Sequence, residues 1–591
     1  MKKITLLFAF ILMLCGANAQ KLEYTLDMPN PNTHYFEVGM NIQDLKQDYI
    51  DIKMPVWAPG SYLIREFGKS VEDVSATASG KEVKVQKINK NTWRVHSKKA
   101  KNVIVKYKVY AFELSVRTSY LDMSHGYVNG TSVFMFIKDK INLNGTLKVT
   151  PYKDFKKINT GLPKVNGNDW VRSFSDYDVL VDSPIEVGNQ YDFSFDAAGC
   201  KHTVAMFGES NFDEEKLKID MAKIVETTTD IFGFNPNKEY TFIIHNLTNG
   251  SGGLEHLNST TLQVNRWTYS GKAYLGFLSL VAHEYFHLWN VKRIRPIELG
   301  PFDYENENYT SLLWIMEGFT SYYDELILQR AGFYTNDTYH NILAKTISRV
   351  ENQPGNRVLP VADASLDAWV KLYRPNENSY NTSISYYSKG SLVALVLDLE
   401  IINATKGKKD LDDVLIYLYK TYYEKENRGF TKEEAKAAIE KVAGKNLDDI
   451  FNNYIHGTET IDYRKYLGYV GKKLVDTKAG STKPSLGVRT SSEGGKVVIS
   501  SITRNTSAYN SELSAKDEII AINGHRISNS SLGKLIGMYH VGDKIDVLIS
   551  RDGIISTIKV ELKADPSVSF KMSNNSKHTE QNTINFDKWM K

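Results

Sequence analysis

The pentapeptide HEYFH, which begins at His283 and ends at His287, constrains this chain more than any other feature. It lies in the apolar stretch LGFLSLVAHEYFHLWNV (275–291), a pattern that predicts an α-helix. On a helix the two histidines lie one turn apart on one face, so both imidazoles can bind one metal ion. Glu284 is offset by about 100° and can act as a base beside that ion. The alternative is a buried helix whose histidines only pack or hydrogen-bond.

A zinc site needs a third protein ligand, and Glu317 is the candidate. It lies in the apolar stretch SLLWIMEGFTSYYDELILQRAG (311–332), which predicts a second helix. Burying a carboxylate among large apolar side chains is costly unless a positive partner meets it. A zinc ion held by His283 and His287 would be that partner. Read alone, Glu317 could also be an exposed residue of an amphipathic helix.

These two stretches together resemble the glycyl aminopeptidase family, PDZ-bearing zinc peptidases related to aminopeptidase N. The resemblance extends upstream to MPVWAPGSYLIREF (54–67), SVRTSYLD (115–122) and SDYDVLVDSPIEVG (175–188). It implies one zinc per chain, held by His283, His287 and Glu317, with Glu284 as the general base for a zinc-activated water. Met316 departs from the wider aminopeptidase N pattern, which has Asn before the glutamate, so the outer partner of Glu317 stays unidentified.

The resemblance also implies residues that read the substrate. The stretch GGLEH (252–256) resembles the family's counterpart of an exopeptidase motif. In that motif Gly252 and Gly253 let the backbone come close to the substrate, and Glu255 binds the free α-ammonium. The alternative is a tight turn with an exposed acid. The stretch ISYYSKG resembles an element whose tyrosine donates to the oxyanion, which places that role on Tyr387, with Tyr386 as the fallback.

A carboxyl-terminal stretch of strand-like runs resembles a PDZ domain. In that interpretation Leu486, Gly487 and Val488 form the loop whose backbone N–H groups bind a peptide carboxylate, beside an exposed strand edge. The alternative is a structural β domain without a ligand.

The predicted fold class is a multidomain α+β protein. It has a β-sandwich-like amino-terminal domain, a thermolysin-like zinc catalytic domain with a helical carboxyl-terminal part, and a PDZ-like domain. The predicted boundaries are a signal peptide (1–19), the β domain (20–198), the catalytic domain (199–471), a linker (472–484), the PDZ-like domain (485–564) and a disordered tail (565–591).

The amino terminus predicts export. Lys2 and Lys3 precede an apolar core and the cleavage site Ala17-Asn18-Ala19. Leu14 before Cys15 is too large for a lipobox, which disfavours a lipoprotein anchor, and no later stretch predicts a transmembrane segment. The protein is therefore expected to be periplasmic or secreted. A net charge of +4 without a basic, aromatic-rich cluster disfavours nucleic acid as a partner.

The sequence thus predicts an exported zinc aminopeptidase that removes glycine or alanine from peptides with a free amino terminus, with peptide carboxyl termini as ligands of the PDZ-like domain. The glycine and alanine preference rests on the resemblance alone. Two alternatives stay open: a metallopeptidase of broader specificity or an endopeptidase, and an envelope peptide-binding protein of PDZ type with a relic peptidase core.

Overall fold

The computed structural model describes residues 21–591, and these fall into two compact units. The first contains residues 21–56 and 66–189, and the second contains Trp57–Arg65 and Gln190–Lys591. The predicted signal peptide lies outside the described residues. Within residues 21–591, every helix is too short or too polar to cross a bilayer.

The first unit is built almost entirely of β-strands. They are β1 (Lys21–Asp27), β2 (Tyr35–Gln43), β3 (Ile50–Lys53), β4 (Val71–Ala78), β5 (Lys81–Glu82), β6 (Val85–Asn89), β7 (Thr92–Val95), β8 (Asn102–Tyr110), β9 (Tyr120–Leu121), β10 (Gly126–Val128), β11 (Phe136–Ile137), β12 (Gly145–Thr150), β13 (Lys157–Thr160), β14 (Lys164–Val165), β15 (Asn168–Phe174) and β16 (Ile185–Gly188). One short helix, α1 (Tyr177–Val181), lies between the last two.

These strands form three sheets. The largest has the order β14-β15-β12-β1-β2-β8-β4-β5, and two four-stranded sheets have the orders β13-β16-β10-β9 and β11-β3-β7-β6. Strand β2 shows why they form, because its residues alternate between buried apolar side chains and more exposed ones. Such alternation is typical of a sheet with one face against a core.

The second unit begins with a mixed sheet and continues mainly as helices. Its first strands are β17 (Tyr191–Ala197), β18 (Cys200–Phe207), β19 (Glu239–Leu247), β20 (Gly253–Glu255) and β21 (Ser259–Asn265). Its helices are α2 (Glu214–Phe232), α3 (Gly271–Phe286), α4 (Leu313–Arg330), α5 (Asn336–Glu351), α6 (Val361–Leu366), α7 (Ser379–Thr382), α8 (Tyr386–Ala404), α9 (Leu411–Leu418), α10 (Lys432–Ala443), α11 (Asp448–Ile450) and α12 (Tyr463–Gly468).

The sheet has the order β17-β18-β19-β21-β20, with β18, β19 and β21 parallel. Strand β17 pairs antiparallel with β18, which corrects the predicted domain boundary at residue 198. The pairing assigns residues 191–197 to the second unit, because a hairpin cannot be divided between two cores without losing its hydrogen bonds.

Helices α4 and α8 cross where both have a glycine. A Cβ at Gly318 would lie 2.5 Å from the Cα of Gly390, so the two backbones approach too closely for any side chain. Gly318 follows Glu317, and Gly390 lies three residues after Tyr387. The crossing therefore fixes the predicted metal ligand and the predicted oxyanion donor relative to each other.

The carboxyl-terminal part adds strands and two helices. They are β22 (Lys472–Asp476), β23 (Pro484–Ser485), β24 (Val488–Glu493), β25 (Lys496–Ile502), β26 (Glu518–Ile522), β27 (His525–Arg526), β28 (Lys544–Arg551), β29 (Ile554–Glu561), β30 (Lys563–Ala564), β31 (Phe570–Asn574), α13 (Asn529–Ile536) and α14 (Glu580–Met590). A six-stranded sheet has the order β24-β25-β26-β28-β29, with β27 paired to β26, and β24 at one edge.

Two further predicted segments, the linker and the tail, also need correction. The predicted linker contains β22, which pairs antiparallel with β31 of the predicted disordered tail. The tail then forms α14, in which Trp589 is fully buried. Residues 565–591 are polar on average, which favours a prediction of disorder. The segment is ordered by two specific contacts, the buried Trp589 indole and the pairing of β31 with β22.

Candidate metal and substrate site

The structure brings the three predicted metal ligands together. His283 lies in the last turn of α3, His287 caps its end, and Glu317 lies in the second turn of α4. Glu317 Oε2 is 3.5 Å from His283 Nε2 and 3.3 Å from His287 Nε2. One donor atom from each of the three residues lies within 4.8 Å of the others. Helix α3 ends at Phe286, earlier than the apolar pattern to residue 291 predicts.

The donor set fits a zinc ion. Glu317 is 2% exposed, and its Oε2 has no hydrogen-bond partner among the described residues. A buried, unpartnered carboxylate oxygen facing two imidazole nitrogens needs a cation. Although burial opposes ionisation, the two histidines lower the pKa of Glu317 to about 2, which favours the charged form that a metal requires. Two histidines and one glutamate match a catalytic zinc site.

The other ring nitrogen of each histidine is already engaged. His283 Nδ1 lies 2.9 Å from Asp324 Oδ2, and His287 Nδ1 lies 2.7 Å from the backbone oxygen of Asn290. These contacts orient both Nε2 atoms toward Glu317, as outer partners of metal-binding histidines do. Asp324 is not among the site residues predicted from the sequence. Its spacing of two helical turns from Glu317 on α4 could have indicated it.

Asn290 also holds the backbone around Glu317. Its side-chain amide donates to the backbone oxygens of Ile315 and Met316 at 3.0 and 2.9 Å. The same amide lies 3.1 Å from Thr320 Oγ1. The segment after α3 therefore clamps the first turns of α4, even though Met316 replaces the expected asparagine.

Glu284 points into the same site from α3. It is 4% exposed, and its Oε2 has no hydrogen-bond partner among the described residues. Burial raises the pKa of the Glu284 carboxyl to about 7, against the opposing effect of the two histidines. Gly253 packs directly on this carboxylate, since a Cβ there would lie 2.1 Å from Glu284 Oε1. Gly252 beside it has φ +111°, which a side chain would strain.

Glu255 extends the site beyond the metal ligands. It ends β20, where it pairs with Thr260 of β21, and it is 6% exposed. One carboxylate oxygen of Glu255, one of Glu284 and one ring nitrogen of His287 lie within 4.8 Å of one another. The alternative of an exposed acid in a turn is therefore wrong. Glu255 thus places a second buried carboxyl group beside Glu284, the predicted general base, where a substrate amine could bind.

Tyr387 lies in the first turn of α8. Its ring stacks on the His283 imidazole at a centroid distance of 6.4 Å. Burial and the Glu317 carboxylate raise the pKa of the Tyr387 hydroxyl well above its ordinary value. Tyr386, the fallback, is fully buried and stacks on Tyr387 at 4.8 Å. Of the two, Tyr387 is the one whose ring contacts a predicted metal ligand.

The predicted carboxylate loop precedes the edge strand β24. Gly487 has φ +78°, and a Cβ there would lie 2.1 Å from the Thr506 side chain. The backbone oxygens of Leu486 and Gly487 accept hydrogen bonds from Ala508 and Thr503 at 2.8 Å each. Val488 opens β24 opposite Ile502. The loop is thus held by backbone contacts and has a conformation that requires glycine.

Comparison with known proteins agrees with this architecture. The peptidase M61 amino-terminal domain matches residues 23–189, the M61 glycyl aminopeptidase domain matches residues 276–393, and a PDZ domain matches residues 484–562. A solved aminopeptidase N family protein from Idiomarina loihiensis is 30% identical, covers 96% of this chain and 100% of its own, and superposes with a TM-score of 0.91. The chain belongs to the M61 glycyl aminopeptidase family.

Membership of the M61 family makes the chain a metallo-aminopeptidase with a PDZ domain. An M1 zinc metallopeptidase from Deinococcus radiodurans is 14% identical, with 75% of this chain and 95% of that one covered and a TM-score of 0.50; this likeness concerns the fold alone. No curated protein matches the sequence.

Proposed function

We propose that this M61 enzyme is an exported zinc aminopeptidase that removes amino-terminal glycine or alanine from peptides. The observation that carries the proposal is the convergence of two sets of groups: His283, His287 and Glu317 around one point, and Glu255 beside Glu284 and His287. The first set suits one zinc ion per chain, and the second suits a substrate with a free amino terminus.

His283, His287 and Glu317 would hold the ion, with their Nε2 and carboxylate oxygen atoms as ligands. Zinc in this site supplies a Lewis acid for the scissile carbonyl and for the attacking water. Asp324 and the backbone of Asn290 keep the two imidazoles oriented toward it.

Glu284 moves the proton. Its carboxylate takes a proton from the attacking water and passes it to the leaving amine when the peptide bond breaks. A pKa of about 7 suits both steps near neutral pH, because the carboxyl can accept and release the proton at similar cost. Gly253, which leaves no room for a side chain against this carboxylate, keeps it in place.

Tyr387 and Glu255 act on the substrate. The raised pKa of Tyr387 keeps its hydroxyl protonated, so it can donate to the oxyanion that develops on the scissile carbonyl. Glu255 binds the α-ammonium group through a charge-assisted hydrogen bond. A site that pairs a buried carboxylate with the substrate amine disfavours blocked peptides, since the carboxylate would then be left without its partner.

Zinc analysis and matched substrates test the proposal together. We expect about one zinc per purified chain, and cleavage of glycine and alanine p-nitroanilides in preference to leucine p-nitroanilide and to amino-terminally acetylated peptides. Preferred cleavage of a blocked peptide would indicate an endopeptidase instead. A protein free of zinc and activity would indicate a relic peptidase core that serves only the PDZ domain.

For that PDZ domain, we propose that peptide carboxyl termini bind at Leu486, Gly487 and Val488, along the free edge of β24. For export, the predicted signal peptide supports a periplasmic or secreted location. Detection of the mature amino terminus at Gln20 in the periplasmic fraction would test it.

A further inference from the structure

The loop Trp57–Arg65 brings a glycine against the Glu255 carboxylate. This loop belongs to the same compact unit as the catalytic helices. A Cβ at Gly60 would lie 2.7 Å from Glu255 Oε1 and 3.0 Å from Oε2. It would also lie 2.7 Å from the Leu254 side chain. Real Cβ atoms do not approach carboxylate oxygens this closely, so any side chain at residue 60 would displace Glu255.

The local sequence explains how the chain presents this glycine. Pro59 and Gly60 occupy the centre of a turn that is closed by a hydrogen bond from Ser61 N to Ala58 O at 2.9 Å. Gly60 has φ +83°. Proline followed by a residue with positive φ is typical of a type II turn, whose third position favours glycine. The turn therefore points a bare backbone at the carboxylate.

The loop is rigidly anchored on both sides of the turn. Trp57 Nε1 donates to the backbone oxygen of Asp303 at 2.8 Å. Tyr62 is 2% exposed and packs edge-on against Trp369 at 5.6 Å. Arg65 donates to Ser61 Oγ at 3.1 Å. A loop held in this way cannot give way to a displaced carboxylate.

We propose that Gly60 is a positioning residue for substrate amine recognition, which fixes the Glu255 carboxylate in the orientation that binds the α-ammonium. The inference rests on the proposed role of Glu255. Gly60 itself need not touch the substrate. Because it has no side chain, the Glu255 carboxylate can lie against its backbone, and the rigid turn keeps that backbone in place. A misplacement of about 1 Å in a positioned group can cost about 100-fold in rate.

The test compares two inhibitors that differ only in the amine. Glycine hydroxamate and acetohydroxamate share the zinc-binding hydroxamate, so the ratio of their inhibition constants measures recognition of the ammonium group alone. We expect the wild-type enzyme to prefer glycine hydroxamate, and Gly60→Ala to reduce that preference about tenfold or more at unchanged zinc content. Acetohydroxamate should inhibit both proteins equally.

Two further variants separate position from backbone strain. Gly332→Ala is the matched control, because Gly332 has φ +79° and open space around its Cβ position; its inhibition ratio should equal that of the wild type. The double variant Gly60→Ala with Glu255→Asp withdraws the carboxylate by one methylene from the new Cβ. In this double variant the preference for glycine hydroxamate should fall by a smaller factor than the product of the factors measured for the two single variants.

The outcomes are distinguishable. If Glu255→Ala keeps the wild-type inhibition ratio, the proposed function of Glu255 fails, and the inference about Gly60 with it. If Glu255→Ala abolishes the ratio while Gly60→Ala leaves it unchanged, only the inference about Gly60 is overturned. Should Gly60→Ala not fold, Gly60→Asn repeats the test with a residue that tolerates positive φ, with Gly332→Asn as its control.

Discussion

The metal pocket and the PDZ loop are built from different groups. The pocket consists of buried charged side chains, and two of its carboxylate oxygens, on Glu284 and Glu317, have no hydrogen-bond partner in the described chain. The PDZ loop consists of backbone, with the oxygens of Leu486 and Gly487 already bonded. The metal pocket is identified by buried carboxylate oxygens without a hydrogen bond, which are costly to bury. The PDZ loop is identified only by the conformation of Gly487. Substitutions should therefore affect the two sites differently.

The largest effect is expected from Glu317→Ala. It removes a predicted metal ligand and leaves the two imidazoles without their carboxylate, so zinc should be lost, activity should fall to background and the Tm should drop. Metal analysis and thermal unfolding measure this. Glu226→Ala, at an exposed position of α2, serves as the control and should change none of the three. Full zinc occupancy in Glu317→Ala would place the third ligand elsewhere.

Glu284→Gln should keep zinc and lose turnover. All three ligands survive, but the amide cannot accept the proton of the attacking water, so kcat should fall roughly 10²- to 10⁴-fold. The measurement is kcat on glycine p-nitroanilide beside zinc content in the same preparation. Wild-type kcat in this variant would eliminate Glu284 as the base.

Glu255→Ala should reduce kcat/KM about 10- to 200-fold, because a charge-assisted contact of about 1.5–3 kcal/mol is lost. Zinc content should stay the same. The preference for free over acetylated amino termini should fall in parallel. If activity declines but that preference persists, Glu255 has a structural role and another acid binds the amine.

Asp324→Asn should weaken zinc binding about 10- to 100-fold, since a neutral amide accepts the His283 Nδ1–H bond more weakly than a carboxylate and leaves Nε2 less basic. Competition with a chelator measures the affinity. Added zinc should restore most of the activity, which separates this variant from Glu284→Gln. An unchanged zinc affinity would show that the 2.9 Å contact between Asp324 and His283 does not contribute to metal binding.

The smallest effect on hydrolysis is expected from Gly487→Ala in the PDZ loop. The new Cβ would collide with Thr506 and distort the loop, so binding of a fluorescent peptide with a free carboxyl-terminal valine should be lost. Hydrolysis of glycine p-nitroanilide should not change. Gly495→Ala is the matched control, with φ +83° and open space. Equal peptide binding by both variants would move the binding site away from this loop.

The sequence predicts most where the related residues lie in the same helix. The spacing of HEYFH predicted the shared face of His283 and His287, because helix geometry alone sets that relation. The N-cap of α10 is equally local, because the Thr431 hydroxyl accepts a hydrogen bond from Glu434 N, three residues further on. Both statements concern residues within one or two turns of each other.

Relations between distant segments were harder to predict. Gly60 lies almost 200 residues before Glu255, and no local pattern connects a Pro-Gly turn to a carboxylate. The order of residues 565–591 was missed for the same reason, since it depends on β22 and on the cavity that Trp589 fills. Such contacts depend on how distant segments pack against each other, and local sequence and composition do not predict that packing.

Helix α14 has a consequence for how this enzyme is made. The Trp589 indole donates to the Tyr322 hydroxyl at 2.9 Å, and Tyr322 lies on α4, five residues after Glu317. Amino-terminal segments leave the ribosome first, so α4 stays without this support until residues 580–590 have been synthesised. A chain interrupted before α14 would carry every predicted zinc ligand, while Tyr322 on the helix of Glu317 would still lack its indole donor.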